Sequence, residues 1–209
     1  MPLAHRWKAT DRIEVWMWHI VEPEETLRAG LDLTPQEEAV LRAVRHPRRR
    51  REWLAVRCLA YRAMGLPTLH YDAGGAPYVS GKCISISHTD GWAAVAVSDW
   101  PVGLDIEQVS DRIEPLRDRF LTPEEQDLLP FHRPAADLTL LWTLKEATYK
   151  LSRGAVPAYK SQIRVCSVKD LRSNILFHDG PETAEAAGKS ILLSDRLIVS
   201  VVWRNDQKA

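Results

Sequence analysis

Three short stretches of this chain carry residue types and spacings that could do chemistry: Ser85-Ile86-Ser87-His88, Gly103-Leu104-Asp105-Ile106-Glu107-Gln108 and the run from Trp142 to Lys150. Asp105 and Glu107 alternate with Leu104 and Ile106, the period-two pattern of a half-buried strand. Residues two apart on a strand share a face, so both carboxylates point the same way. Glu146 and Lys150 are four apart on a helix-like segment and share a face there. Three carboxylates with lysines nearby suit a hard cation such as Mg²⁺ holding a phosphate, since Mg²⁺ takes a few oxygen ligands in preference to others. The chemistry to test first is phosphoryl transfer.

The flanking sequence predicts the elements that must position these groups. Ile13 to Ile20 is rich in β-branched and aromatic residues and reads as a strand. Thr34 as N-cap, Pro35 at N1 and Glu37 at N3 form a capping box that opens a helix to about Val44. A second helix is expected from the arginine block to Met64, stopped by Gly65 and Pro67. After the Gly74-Gly75-Ala76-Pro77 turn, Cys83–Ser87 and Trp92–Ser98 read as strands joined by a His88–Gly91 turn. Much of this recurs downstream. Thr122, Pro123 and Glu125 repeat the capping box, Trp142 answers Trp53, Gly154 answers Gly65, and Ile163–Val168 and Leu197–Trp203 read as strands.

The matched order and spacing point to an internal duplication. The expected fold is α+β: two pseudo-symmetric α/β halves, 1–99 and 100–209, each a small, mainly antiparallel sheet on a long helix. Matching the two tryptophans sets Val56-Arg57 against Lys145-Glu146, a cation in one half opposite a carboxylate in the other. An anionic ligand lying between the halves would meet arginines from the first and a metal site from the second.

Composition bounds the function from outside. The chain has 209 residues, 45% of them hydrophobic, with zero formal net charge and a pI near 7.1, which disfavours a dedicated nucleic-acid binder. The neutral total hides asymmetry: eight arginines against one acid, Glu52, between Arg42 and Arg62, and eight acids against three arginines between Asp105 and Asp127. Three scattered cysteines with no C-x-x-C indicate neither a zinc knuckle nor a disulfide framework, and fit a reducing compartment. No apolar leader or membrane-length run is apparent, so the expectation is a soluble, cytoplasmic, monomeric protein without nucleic-acid or membrane partners.

The three stretches, in this order, resemble the 4′-phosphopantetheinyl transferases of the surfactin-synthetase-activating type. That family carries a Ser-His motif, then G-[VI]-D-[IV]-E, then W-x-x-K-E-A-x-x-K, and all three lie between Ser85 and Lys150. The resemblance implies the phosphopantetheinyl transferase fold, two similar halves with coenzyme A between them. It implies a holo-[acyl-carrier-protein] synthase type of activity: transfer of the 4′-phosphopantetheine arm to a serine of an acyl or peptidyl carrier protein, with Mg²⁺, releasing 3′,5′-ADP. Carried over by position, Asp105, Glu107 and Glu146 would ligate Mg²⁺. Ser87 and His88 would meet a coenzyme A phosphate, and Lys150 would contact the ligand; Lys145, about 100° round the helix from Glu146, would contact another part of the ligand or another carboxylate. Arg51 and Arg57 would face the nucleotide 3′-phosphate. Glu146 would serve as ligand or as general base, and Lys150 would stabilise the leaving phosphate. One departure stands out: the family's G-K-P turn reads Gly75-Ala76-Pro77 here, without its phosphate-contacting lysine.

Each residue also has a plainer reading. Asp105 and Glu107 fit the solvent face of an edge strand, Glu146 and Lys150 a surface pair, and Arg48–Arg50 a solvated helix face. Trp53 and Trp142 read as core anchors. At the level of function, the rivals are a metal-dependent phosphodiesterase that activates water and a catalytically silent binder of coenzyme A or carrier protein.

Overall fold

The structure is a computed structural model that describes residues 5–129, 132–153, 156 and 158–204. The chain opens with strands β1 (His5–Lys8) and β2 (Ile13–His19), the latter alternating buried and half-buried positions as expected. Helices α1 (Glu24–Arg28), α2 (Pro35–Ala43) and α3 (Pro47–Arg57) follow, with α3 continuing into a π-helical turn over Cys58–Ala63. The turn ends at Gly65, whose φ of 63° is the left-handed value a helix stop requires. Two short strands, β3 (His70–Tyr71) and β4 (Pro77–Tyr78), flank the Gly74–Ala76 turn. Then come β5 (Cys83–Thr89), β6 (Trp92–Ser98) and β7 (Val102–Gln108). His88 thus lies within β5 and not in a turn, because Gly91 at φ 71° lets the chain reverse two residues later.

A 3₁₀ turn, Asp111–Leu116, leads into α4 (Arg117–Phe120), α5 (Pro123–Gln126) and the long α6 (Pro134–Leu151). After α7 (Tyr159–Gln162) the chain runs through β8 (Ile163–Lys169), β9 (Arg172–Asp179), β10 (Glu182–Ser194) and β11 (Leu197–Arg204). Strands β9 and β10 are additions to the sequence expectation. The Glu-Ala-rich stretch of β10 has weak strand propensity, and its pairing with β9 and β11 overrides it. The expected stop at Gly154 lies outside the described residues.

Among the described residues there are two large antiparallel sheets, in the orders β1-β2-β6-β5 and β7-β11-β10-β9-β8, and the two-stranded β3-β4. Helix α3 and its π turn cover one face of the first sheet through Trp18, Leu54, Leu59 and Val95. Helix α6 covers one face of the second through Leu141, Leu144, Ile175 and Val202. A third cluster (Val15, Met17, Ala96, Leu104, Ile106, Val199) fills the space between the two remaining faces. The sheets therefore stand back to back with the helices outside, a mixed helix and antiparallel-sheet fold. Leu104 and Ile106 point into the middle core, so Asp105 and Glu107 are turned toward α6. Gly103 allows that helix in: a Cβ there would lie 1.8 Å from the Ala147 carbonyl oxygen. Among the described residues, no helix is long and apolar enough to cross a membrane.

Both capping boxes form, and each carboxylate does more than cap. Glu37 Oε2 accepts the Thr34 amide at 3.1 Å while its Oε1 accepts from Tyr61 at 2.6 Å and Arg57 Nε at 3.1 Å. Glu125 Oε2 accepts the Thr122 amide and pairs with Lys145 Nζ, both at 2.8 Å, while Oε1 accepts the Val165 amide at 2.8 Å. Both side chains of the second pair are wholly excluded from solvent. Removing one member of such a pair leaves an uncompensated charge, so Lys145→Ala should cost about 3–5 kcal/mol of stability. Thr122→Ala, which removes only a cap, should cost about 1 kcal/mol. Urea unfolding followed by tryptophan fluorescence measures both, and a Lys145→Ala cost no larger than that of the cap would refute the buried-pair account.

Candidate functional site

The site begins where the edge strands of the two sheets meet. Strand β5 belongs to the first sheet and β7 to the second, and side chains join them in place of a backbone ladder. Ser85 Oγ accepts the Leu104 amide at 3.0 Å, and Ser87 Oγ accepts the Ile106 amide at 3.4 Å. Ser87 also donates to Asp105 Oδ1 at 2.7 Å, and Thr89 donates to Glu107 Oε2 at 2.9 Å. Residues 85, 87 and 89 share one strand face, so a single run of hydroxyls covers β7. The S-x-S spacing is first of all this junction.

Lys150 closes the junction from α6. Its Nζ donates to Asp105 Oδ1 at 2.7 Å, to Ser87 Oγ at 2.9 Å and to the Leu104 carbonyl at 3.0 Å. Asp105 is buried, and its second oxygen, Oδ2, has no hydrogen-bond partner among the described residues. Burial, and then the neighbouring Asp105 charge, push Glu107 up to about 7 and raise Glu146 above the usual carboxylate range. The buried Tyr159 hydroxyl, which lacks a well-formed hydrogen bond, lies within electrostatic reach of Glu146.

This donor set fits a hard divalent cation: oxygens only, one of them buried and unpartnered, on carboxylates whose mutual repulsion a cation would offset. Among the described residues, no three acidic, histidine or cysteine side chains already converge at ligating distance. Binding would therefore require side-chain rotation.

The cationic side is built on α3. Glu52, buried at its centre, pairs with Arg49 at 2.9 Å and with Arg48 at 3.4 Å, and lies 3.5 Å from His88 Nδ1. Arg49 also reaches His88 Nδ1 at 2.9 Å. Burial lowers the proton affinity of His88, Glu52 pulls it back up, and Arg49 adds to the lowering. A groove of about 590 Å³ runs past Arg49, Trp53, Tyr71 and His88. It shares Gly75, Pro77 and Ile86 with a second cavity of about 280 Å³, lined also by Ala76, Ser85, Lys150 and Arg153. The two form one crevice from the arginine helix to the end of α6.

The structure brings Ser87, Asp105, Glu107, Glu146 and Lys150 together and sets His88 beside Arg49 and Glu52. Lys145 meets a carboxylate, the second of its two expected partners. It is fully buried, bonded to Glu125 and to the carbonyls of Phe120 (2.7 Å) and Lys160 (3.2 Å), so it offers nothing to the crevice. The 100° step between adjacent helix residues turns it away from Glu146. Arg57 lines the groove, but its guanidinium is held by Glu37 and lies 3.2 Å over the Trp53 ring. Arg51 is half-buried and makes no ion pair among the described residues.

The sequence reading missed Arg49, Glu52 and Thr89 as parts of the site. Their signals were present: Arg48 and Arg49 stand four and three residues before Glu52, and Thr89 continues the Ser85-Ser87 face. Tyr159 had no such signal.

Residues 101–202, the stretch holding both carboxylate motifs, match the 4′-phosphopantetheinyl transferase superfamily. The 4′-phosphopantetheinyl transferase psf-1 of Bacillus pumilus is 41% identical over 71 residues, 32% of this chain and 30% of that relative. The 4′-phosphopantetheinyl transferase gsp of Aneurinibacillus migulanus is 32% identical over 80 residues, 36% of this chain and 34% of that relative. The matches thus span about a third of either relative's length.

The carboxylate cluster predicts a pH dependence of definite sign. Glu107 is raised from 4.5 to about 7 in the folded state, so the fold binds more protons than the unfolded chain between those values. Its contribution to stability is complete below the unfolded value and is lost as the pH rises through 7. The melting temperature of the metal-free protein should therefore decline between pH 5 and pH 7.5 relative to Glu107→Gln, and Mg²⁺ should restore more at pH 7.5 than at pH 5. Parallel pH profiles for the two proteins in differential scanning calorimetry would contradict the assignment.

Proposed function

We propose that this protein transfers the 4′-phosphopantetheine arm of coenzyme A to a serine of an acyl or peptidyl carrier protein and releases 3′,5′-ADP. The observation that carries this reading is the junction of Asp105, Glu107, Glu146 and Lys150, whose lysine also lines a crevice that runs to the cationic residues of α3. A pyrophosphate-bearing nucleotide has charge to satisfy at both ends. The superfamily match over residues 101–202 supports the same chemistry.

Asp105, Glu107 and Glu146 would hold Mg²⁺, which when bound would offset the pyrophosphate charge and polarise the reacting phosphoryl group. The carrier serine oxygen forms a bond to the β-phosphorus as the bond to the 3′,5′-ADP oxygen breaks. Glu146, on the same helix face as Lys150, accepts the serine proton directly or through water. Lys150, fixed by three hydrogen bonds, faces the negative charge that grows on the leaving phosphate. Arg49, His88 and Arg51 serve the nucleotide end.

The motif set and relatives favour the surfactin-synthetase-activating type over the holo-[acyl-carrier-protein] synthase type. We read the halves, 1–99 and 100–209, as pseudo-symmetric copies of one α/β unit. The shared strand orders β2-β6-β5 and β7-β11-β10 support this, as do the two capping glutamates, each paired with a cation of the following helix. The protein acts as a cytoplasmic monomer without nucleic-acid or membrane partners.

Incubation with coenzyme A, Mg²⁺ and an apo carrier protein tests the reading: the carrier should gain about 340 Da, the mass of the arm. Coenzyme A hydrolysis without carrier modification would mean a phosphodiesterase, and binding with neither would mean a silent binder. Asp105→Ala should lower transfer by at least ~10²-fold, as loss of a preorganised electrostatic group does. Glu146→Gln should lower kcat with little change in KM.

A further inference from the structure

The turn that would carry a phosphate-binding lysine has Ala76 in its place, yet the cavity lined by Ala76 is not short of cations. Arg153 lines the same cavity from the other half of the molecule, three residues beyond Lys150. We propose that Arg153 is a pyrophosphate-binding residue that stands in for the cation missing at Ala76. This rests on the coenzyme A reading above.

The first ground is backbone conformation. Helix α6 ends at Leu151, with Ser152 as its C-cap, and Arg153 takes the left-handed conformation that closes the helix, at φ 52°. That position is a glycine's by preference, because a Cβ is disfavoured there. A long charged side chain in a disfavoured conformation is a reason to ask what it does. The backbone geometry sends it to the mouth of the cavity, where its Nη1 lies 3.4 Å from Asp72 Oδ2.

The second ground is what that pair is worth. The Arg153 side chain is 59% exposed and the contact is long. Exposed ion pairs of this kind contribute little, so Asp72 does not account for the placement. Asp72 already has work of its own: its Oδ1 accepts the amides of Gly74 and Ala76, each at 2.9 Å, and so fixes the turn. A guanidinium held this loosely can exchange one carboxylate oxygen for two phosphate oxygens, which it matches in a bidentate fork.

The third ground is position. Arg153 shares its cavity with Lys150, next to the carboxylate cluster, while His88 and Arg49 line the neighbouring groove. The anion that Arg153 meets is therefore the pyrophosphate and not the remote 3′-phosphate.

Titration calorimetry of the full-length protein with coenzyme A and with 3′-dephospho-coenzyme A, in Mg²⁺, tests this. Arg153→Gly removes the side chain and suits the φ angle, so its melting temperature should not fall. Its Kd should rise about tenfold for both nucleotides, as loss of a charge-assisted hydrogen bond implies. Adding Ala76→Lys to Arg153→Gly should recover most of that loss. Asp72→Asn, which keeps an oxygen for the turn amides, should leave affinity unchanged or tighten it. An unchanged Kd for Arg153→Gly would overturn the proposal. So would a loss confined to coenzyme A, which would put the arginine on the 3′-phosphate, or an equal loss in Asp72→Asn, which would make the pair structural. If the unaltered protein bound neither nucleotide, the coenzyme A reading itself would fall, and this inference with it.

Discussion

The contact of Lys150 with Asp105 at the junction of the two sheets is the constraint on which the rest of the structure depends. Taking a carboxylate out of water is unfavourable unless a partner compensates it. The compensation here comes from elements far apart in sequence: the Ser87 hydroxyl from β5 and the ammonium from α6. Neither strand nor helix can shift without exposing or stranding that charge. The same contact leaves Asp105 Oδ2 without a hydrogen-bond partner among the described residues and holds Glu107 and Glu146 in a crowded field, a stored electrostatic cost that a cation would relieve.

The capping boxes show how the helices are fixed to serve that point. In each half a buried glutamate closes a helix start and then binds a cation from the following long helix. On α6 this anchors Lys145 on one side, which sets the rotation of the helix and leaves Glu146 and Lys150 facing β7. Gly103 completes the arrangement by admitting the Ala147 backbone, so that the helix lies against the carboxylate strand. On α3, Glu52 gathers Arg48 and Arg49 into one cationic face beside His88 of β5.

What could be read from the sequence was what local chemistry decides. Both capping boxes, the Gly65 stop, the strand bearing Asp105 and Glu107 and the shared face of Glu146 and Lys150 follow from propensity and periodicity. The buried partners did not. Spacing sets Lys145 apart from Glu146 but does not say which carboxylate it meets, because a cation near a motif looks the same whether it meets a substrate or a capping glutamate across the fold. The arginine block looked like a solvated face, yet Arg50 grips Glu24 through two nitrogens and also donates to the Leu41 carbonyl at 2.5 Å. Long-range pairing also decided β9 and β10, whose composition alone is equivocal. The role of Arg153 depends on a left-handed backbone angle that no pattern of residue types announces.

In the proposed function one ligand spans the two halves, with a divalent cation on the carboxylates of the second and the nucleotide on the cations of the first. The most direct measurement is a crystal structure of the protein with coenzyme A and Mn²⁺, with the metal located by anomalous scattering. The account predicts a single metal bonded by Asp105, Glu107 and Glu146 and touching the pyrophosphate, with the nucleotide running toward His88 and Arg49. A metal bound elsewhere, or coenzyme A held wholly by one half, would contradict it.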